Sequence, residues 1–268
     1  MDDTTDERET QEISLLESLN GEWIKMPLAA MQDVGLAVQT LGGLLKVTNR
    51  ETYSPVSDIA GKARVPIATA RKHLVILDGK GWINNRGREH TRRGAPRRTA
   101  TIAISKHTKN KIEPYGVLPW WACCSIRKVG KLPWSVKAVL SIIMARLAAL
   151  RAGAQQQADH QDDEELIGAI DNMGGEDRFR FSLTWLMRQT GLTHDSITTA
   201  KRLLKDRFGL VQWIGTPRPK GKFRPGATPE TDLLVPNWDF RCIVTPASPE
   251  HCYLDFRGYA KSGHRNDL

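Results

Sequence analysis

The hydrophobic and polar positions of this chain repeat once. A short helical pattern, a tight turn, a longer helical pattern and a strand after a glycine occur over residues 57–104 and again over 182–235. An internal repeat of this kind changes the predicted fold before any other feature does. A shift of 127 positions superposes the two copies, with Ile59 on Leu186, Ala60 on Met187, Val65 on Leu192, Thr69 on Ser196, Ala70 on Ile197 and Leu77 on Leu204.

Each copy follows a similar lead, in which a short strand ends in Met-Pro or Leu-Pro and a helix follows. Apolar residues recur at helical spacing over 28–45 in the first half and over 136–150 in the second. Alternating residues over 99–105, and a short apolar run over 232–235, predict a return strand behind each copy. We therefore predict a mainly α fold with small antiparallel β wings (α+β), arranged as two tandem winged-helix domains.

Composition along the chain predicts the domain boundaries. We expect an acidic mobile N-terminus, two winged-helix domains joined by a connector, and a C-terminal tail whose aromatic residues pack back on the body. An acidic insertion in the second domain is expected to be a loop, with a short helix over 164–170 as the alternative. The segments are 1–20 (N-terminus), 21–105 (first domain), 106–131 (connector), 132–236 (second domain), 155–177 (insertion) and 237–268 (tail).

The net charge of +9 is unevenly distributed. Residues 1–20 carry −6 and residues 155–177 carry −8, so the other 225 residues carry +23. A body this basic requires a polyanionic partner. Neither a secretory signal nor an apolar run of membrane-spanning length is evident, so we expect a cytoplasmic protein that does not associate with membranes.

Chemistry other than binding has little support in the sequence. The four cysteines, Cys123, Cys124, Cys242 and Cys252, lack CxxC spacing, so free thiols are expected rather than a zinc site. The chain holds no GxxxxGK[ST] phosphate loop, no HExxH and no GxSxG motif. We therefore expect no cofactor, no metal and no enzymatic activity.

Two sets of side chains are expected to bind double-stranded DNA, because a winged helix places its third helix in the major groove and its wing along phosphates or in the minor groove. The third helices offer polar residues at their exposed starts, namely Thr69, Arg71 and Lys72 in the first copy and His194, Ser196, Thr198, Thr199 and Arg202 in the second. The wings offer cations, namely Arg86, Arg88, Arg92, Arg93, Arg97 and Arg98 in the first copy and Arg218, Lys220, Lys222 and Arg224 in the second.

The duplicated pattern over 57–104 and 182–235 resembles bacterial winged-helix transcription regulators of the MarR-like and GntR-like kind. The paired leads, 23–45 and 115–150, also resemble two-winged-helix replication initiators of plasmids and phages. The first resemblance implies a transcription regulator, and the second implies a protein that binds origin repeats. A winged-helix adaptor that binds proteins is the third alternative.

The two halves are expected to differ in role. The first wing carries +5 over residues 86–98, against +4 over 215–229 in a proline-rich loop, and the second lead helix is the longer and more apolar one. Apolar surfaces of that kind are enriched at the cores of subunit interfaces. We therefore predict that the first half reads DNA and that the second mainly assembles the protein, which leaves a homodimer open. The alternative is that these apolar residues only fill the core of the second domain.

Overall fold

The computed structural model describes residues 11–20, 22–48, 50–87, 101–105, 113–123, 125–126, 130–157, 163–172, 178–214, 231–248 and 251–257. They form a mainly helical α+β fold with small antiparallel sheets, which confirms the mainly α, α+β part of the predicted fold class. The helices are α1 (Leu28–Val34), α2 (Val38–Val47), α3 (Val56–Ala63), α4 (Ile67–Gly79), α5 (Trp134–Gln157), α6 (Asp163–Asn172), α7 (Leu183–Thr190) and α8 (His194–Arg202). The strands are β1 (Gln11–Ser14), β2 (Trp23–Pro27), β3 (Glu51–Thr52), β4 (Ile83–Asn85), β5 (Ile102–Ile104), β6 (Tyr115–Pro119), β7 (Ser125–Ile126), β8 (Gly130–Lys131), β9 (Arg180–Ser182), β10 (Val211–Ile214), β11 (Thr231–Pro236), β12 (Arg241–Ser248) and β13 (His251–Arg257).

The two lead strands pair with each other. β2 and β6 run antiparallel, with Lys25 opposite Val117 and Trp23 opposite Pro119. If the two prolines that end these strands are taken as equivalent, Lys25 and Val117 are equivalent central positions and lie directly opposite each other, and the flanking pairs are arranged symmetrically about them. The pairing therefore relates the two leads by a local two-fold axis near Lys25 and Val117.

A glycine allows a helix to approach each strand of this ribbon closely. A Cβ atom on Gly42 of α2 would collide with the carbonyl oxygen of Lys25 and with the side chain of Ile24 in β2. A Cβ atom on Gly116 of β6 would collide with Ser141 of α5. Gly116 holds the place in β6 that Ile24 holds in β2, so the small residue lies on the helix in one half and on the strand in the other.

The turn within each helix pair has the same backbone geometry. Arg64 ends α3 with φ 54°, and Gly191 ends α7 with φ 69°, so both residues are left-handed. The two positions are 127 residues apart, as the sequence repeat requires. Each helix pair lies in sequence between the first strand of an antiparallel sheet and the other two strands of that sheet. The strand order is β3-β5-β4 in the first half and β10-β11-β9 in the second. The return strands predicted within 99–105 and at 232–235 are confirmed as β5 and β11.

The first lead helix is broken where the sequence predicts one apolar stripe. Gly35 has φ 53° and begins a short 3-10 turn between α1 and α2. Within the described residues, the stretch Leu28–Val47 has the length and apolar composition of a membrane span, but 67% of it is buried inside the protein. One such stretch is a weak indication of a span, because the core helix of a folded domain has the same character.

The N-terminal part of the described chain departs from the sequence prediction. A mobile segment is expected over 1–20, but residues 11–14 form β1, and Ile13, Leu15 and Leu16 are buried. β1 pairs with β12 of the predicted tail in a sheet of order β1-β12-β13-β7-β8, whose β13–β7 pair is parallel. These apolar residues meet their partners only through strands far along the chain, which a local pattern does not reveal. Residues 1–10 and 258–268 lie outside the described residues.

The acidic insertion contains a packed helix, which confirms the short helix over 164–170, so the expectation of a mobile loop over 155–177 is wrong for that part. α5 continues to Gln157, and α6 spans Asp163–Asn172. Leu166 and Ile170 of α6 are buried in the hydrophobic core. Their spacing of four residues places both on one helix face, and this apolar pair is enough to dock a helix that is otherwise acidic.

The buried residues of both halves form one continuous hydrophobic core. Trp121, which follows β6, stacks on Phe240 with ring centroids 5.7 Å apart, so the predicted connector and tail meet inside the protein. The apolar residues of α5 that were considered for a subunit interface are buried within the chain, namely Val136, Val139, Leu140, Ile143, Leu147 and Leu150.

Candidate nucleic-acid interface

The second helix of the first pair, α4, has a cationic outer face. Arg71 and Lys72 are exposed to solvent, as predicted. Thr69 is half-buried rather than exposed, and Ala68 occupies the outward position beside it. The opposite face of α4 packs on the core through Ala70, His73, Leu74 and Leu77.

Two buried polar contacts fix the orientation of α4. The Oγ1 atom of Thr40 in α2 lies 2.7 Å from Nδ1 of His73, and both side chains are buried. Burial lowers the pKa of His73 below its ordinary value, so the ring is neutral at neutral pH. After α4 ends, Nε1 of Trp82 donates a hydrogen bond of 2.7 Å to Oδ2 of Asp33. These contacts hold the outer face in one position, which a base-reading helix requires.

A cluster of charges supports the turn before α4. Glu22 lies 3.2 Å from Arg64, 3.4 Å from Lys62 and 4.0 Å from Lys46. Burial opposes the ionisation of Glu22, but these three cations together lower its pKa below the ordinary value. Lys46 and Lys62 lie in the last turns of α2 and α3, where a cation complements the helix dipole. The cluster therefore ties two helix ends to the start of β2, and it is a structural feature rather than part of the interface.

The second helix of the other pair, α8, has a more polar outer face with less charge. His194, Thr199 and Arg202 are exposed, while Ser196 and Thr198 are half-buried. The structure thus places all five predicted residues on one short helix, and three of them face solvent fully.

Two of these predicted residues have partners close to them in the sequence. Thr193 is the N-cap of α8, and its Oγ1 accepts a hydrogen bond from the backbone N–H of Ser196. The hydroxyl of Ser196 lies 2.9 Å from the same oxygen, so Ser196 belongs to the cap. Nδ1 of His194 lies 3.1 Å from a carboxylate oxygen of Asp195. Thr199 and Arg202 are therefore the main contact candidates on α8.

An ion pair between a buried lysine and a half-buried aspartate holds α8 on its sheet, and the sequence analysis missed it. Lys201 is fully buried, is paired with Asp232 of β11, and lies 5.8 Å from the centroid of the Trp213 ring. The sequence does indicate that Lys201 is buried, because it follows the core residue Ile197 by four positions on the same helix face. In the first copy Leu74 occupies the equivalent position, so the apolar pattern there is unbroken.

Only Arg86 of the predicted wing cations lies in the part of the chain that is described. Arg86 follows β4, its backbone N–H donates to the carbonyl oxygen of Thr101, and its guanidinium lies 3.8 Å from Glu51. The N–H of Thr101 in turn donates to Gly87, so the hairpin ladder continues to the base of the first wing. The other predicted wing cations lie outside the described residues, namely Arg88, Arg92, Arg93, Arg97, Arg98, Arg218, Lys220, Lys222 and Arg224.

Cysteine and metal chemistry do not add a second site in the described residues. Among these residues, no group of three or more His, Cys, Asp or Glu side chains is placed to hold a metal ion. Cys123 is buried, and burial raises the pKa of its thiol, which keeps the sulfur protonated. Its Sγ accepts a hydrogen bond of 3.0 Å from the amide of Gln39, so the residue has a packing role.

Known proteins do not extend these observations. The chain matches no protein-family profile, no curated protein and no solved structure. Its function is therefore inferred from its own residues and geometry.

Proposed function

We propose that this protein binds double-stranded DNA through two tandem winged helix-turn-helix units. The observation that carries the proposal is the repeated geometry, in which each helix pair has a left-handed turn residue, at Arg64 and at Gly191. In both units one strand of a three-stranded antiparallel sheet precedes the helix pair and the other two strands follow it. In both units the second helix turns polar or cationic residues to solvent. A helix of this kind fits the major groove of B-DNA, where its side chains reach base edges.

The charge distribution supports a polyanionic partner. Residues outside the two acidic segments carry +23, and the sequence segments between β4 and β5 and between β10 and β11 are rich in arginine and lysine. Neutralised phosphates release counterions, so DNA bound in this way dissociates as salt rises. We infer that α4 and α8 read bases while these two basic segments contact the backbone.

Transcription regulation is the first candidate for the role of this binding. Replication initiation is the second, and the β2–β6 ribbon favours it, because the initiator resemblance rests on the two leads and the strands of these leads pair with each other. The position of the target site separates the two roles, since a regulator binds near a promoter and an initiator binds repeats in an origin.

The proposal is tested by the salt dependence of binding to a random-sequence duplex, measured by fluorescence anisotropy. Each phosphate contact contributes about 0.9 to the slope of log affinity against log salt concentration. Replacing Arg92, Arg93, Arg97 and Arg98 by alanine is expected to flatten this slope by about 2–4. An unchanged slope would remove the first wing from the interface.

A matched control removes cations that already have a partner. Lys25 lies 3.5 Å from Glu113 and Lys46 lies 4.0 Å from Glu22, so the variant with Lys25→Ala and Lys46→Ala loses two positive charges outside the proposed interface. We expect it to keep the wild-type slope. If the wild type binds no duplex at low salt but captures a protein partner, the adaptor alternative replaces DNA binding.

A further inference from the structure

α4 exposes apolar side chains beside its cations. Three of the six large hydrophobic residues that are exposed in the described part of the chain lie on this helix, namely Ile67, Val75 and Ile76. Val75 is 70% exposed, the highest value among them. Ala68 is exposed as well, and with a spacing of seven residues it lies on the same face as Val75, with Arg71 and Lys72 between them.

The second unit shows that the fold does not require this exposure. A shift of 127 positions takes the four residues of this face of α4 to polar residues of α8. The pairs are Ala68 with Asp195, Arg71 with Thr198, Lys72 with Thr199 and Val75 with Arg202. Exposed aliphatic groups are unfavourable in water, so their presence on α4 alone indicates a contact that α4 alone makes.

We propose that α4 recognises thymine, with Val75 and Ala68 contacting the C5-methyl groups and Arg71 or Lys72 bound to a guanine or a phosphate between them. The proposal rests on the proposed DNA binding and names the bases that α4 reads. Of the two grooves of B-DNA, only the major groove presents a methyl group beside hydrogen-bond acceptors on the base edges. α8, with hydroxyl groups and no exposed aliphatic residue, reads a different sequence.

A second copy of the chain fits this face less well. A symmetric dimer would place the same helix of each copy face to face, which brings Arg71 and Lys72 of both copies together. The only acid on α4 is Asp78, and its carboxylate accepts a hydrogen bond of 2.8 Å from the backbone N–H of Asn85. No complementary charge on this helix offsets the repulsion, whereas DNA supplies acceptors and phosphates.

Substitution of deoxyuridine for thymidine tests the proposal, because it removes only the C5-methyl group. The duplex is selected from a random library with the full-length protein, and each thymine is then replaced singly. At one or two positions the wild type is expected to lose affinity about fourfold, the factor that burial of one methyl-sized group gives. Val75→Ala is expected to bind the thymine duplex about fourfold more weakly than the wild type does. At one of these positions it should no longer distinguish thymine from uracil.

Ile214→Ala is the matched control, since Ile214 is also an exposed aliphatic residue but lies on β10. This variant should keep the full preference for thymine, and thermal melts of both variants should match the wild type. Wild-type binding with no sensitive thymine would overturn methyl recognition while leaving DNA binding intact. No binding to any duplex would overturn the proposed function as well. Concentration-dependent self-association that Val75→Ala abolishes would assign the face to a second copy and overturn the inference.

Discussion

Two pairs of polar residues fix the orientation of α4 and α8. Thr40 and His73 meet inside the first unit, and Lys201 and Asp232 do the same for α8 in the second. Neither pair faces the proposed interface, yet each fixes the rotation of the helix whose outer residues would contact DNA. Removing one partner from such a pair leaves a buried polar group unsatisfied, which costs about 1–3 kcal/mol.

His73 makes the stability of the protein depend on pH. Burial lowers its pKa in the folded state, so the unfolded chain takes up the proton first as pH falls through about 6.5. Stability is complete above that pH and decreases below it. We expect the Tm to fall by a few degrees between about pH 7.5 and about pH 5.5, at about 2–4 °C for each kcal/mol.

His73→Asn isolates this contribution, because an amide can bond to Thr40 without titrating in this range. The chain has seven histidines, and others can also contribute to the pH dependence. The decrease in Tm of the wild type is therefore compared with that of the variant, which is expected to be smaller. The measurement is a thermal melt followed by circular dichroism. The same pH dependence in both proteins would show that His73 is not responsible.

The two turn residues are expected to differ in how much their substitution changes the free energy of unfolding. A non-glycine residue in the left-handed conformation costs about 1–2 kcal/mol, and Arg64 has this conformation. Arg64→Gly removes that strain but loses a half-exposed ion pair with Glu22 and adds chain entropy, so we expect a change of at most about 1 kcal/mol. Gly191→Ala introduces the strain and places a Cβ atom 3.1 Å from the carbonyl oxygen of Gln32, so we expect a loss of about 1–3 kcal/mol. Urea denaturation measures both changes, and equal losses would contradict the argument.

The sequence predicted most of the proposed contact residues, and its errors have local causes. Arg71, Lys72, Thr199 and Arg202 are exposed as expected, because they lie opposite the apolar stripe of their helices. Other residues depart from the prediction for reasons that helical spacing does not show. Thr69 borders the buried face, Ser196 belongs to a cap, and Lys201 is a cation inside the core.

At the scale of elements, periodicity predicted helices well and underestimated short ones. The apolar spacing of both helix pairs is confirmed by α3, α4, α7 and α8. α6 was expected within a loop, because acidic residues and glycine dominate the composition of its segment. In the structure two residues of α6, Leu166 and Ile170, are buried. Its burial depends on surfaces supplied by other elements, and a single-sequence pattern contains no information about them.

α6 gives a direct test of whether the acidic insertion is part of the folded core. Ile170→Ala removes a fully buried side chain, so we expect a loss of about 2–5 kcal/mol. Gly168 lies on the exposed side of the same helix, where an added Cβ meets no atom within 4 Å. Gly168→Ala is therefore expected to gain about 0.5–1 kcal/mol. Both values are measured by urea denaturation. If neither substitution changes the free energy of unfolding, the segment is the mobile loop that its composition predicts.

The whole molecule is joined across the repeat in two places. β2 of the first half pairs with β6 of the second, and β1 pairs with β12 near the C-terminal end. Between them, Nζ of the buried Lys137 lies 3.5 Å from Oε1 of Gln39, which connects α5 to α2. The duplication was visible in the sequence, but the pairing of the two leads was not, because both strands are short and either could have paired within its own half.

This architecture predicts one cooperative unfolding transition for the whole chain rather than one for each half. Calorimetry should give a calorimetric enthalpy about equal to the van't Hoff enthalpy. The fragments 1–110 and 111–268 each lose one strand of the β2–β6 ribbon and one of the β1–β12 pair, so each exposes apolar surface that the other covers. We expect neither fragment to melt cooperatively by itself, and a mixture of the two to regain a cooperative melt and a 1:1 complex on gel filtration. Because the ribbon sets how the two halves sit together, DNA affinity should return with that complex. Two fragments that each melt cooperatively, at the temperatures seen in the intact chain, would show instead that the halves are independent domains.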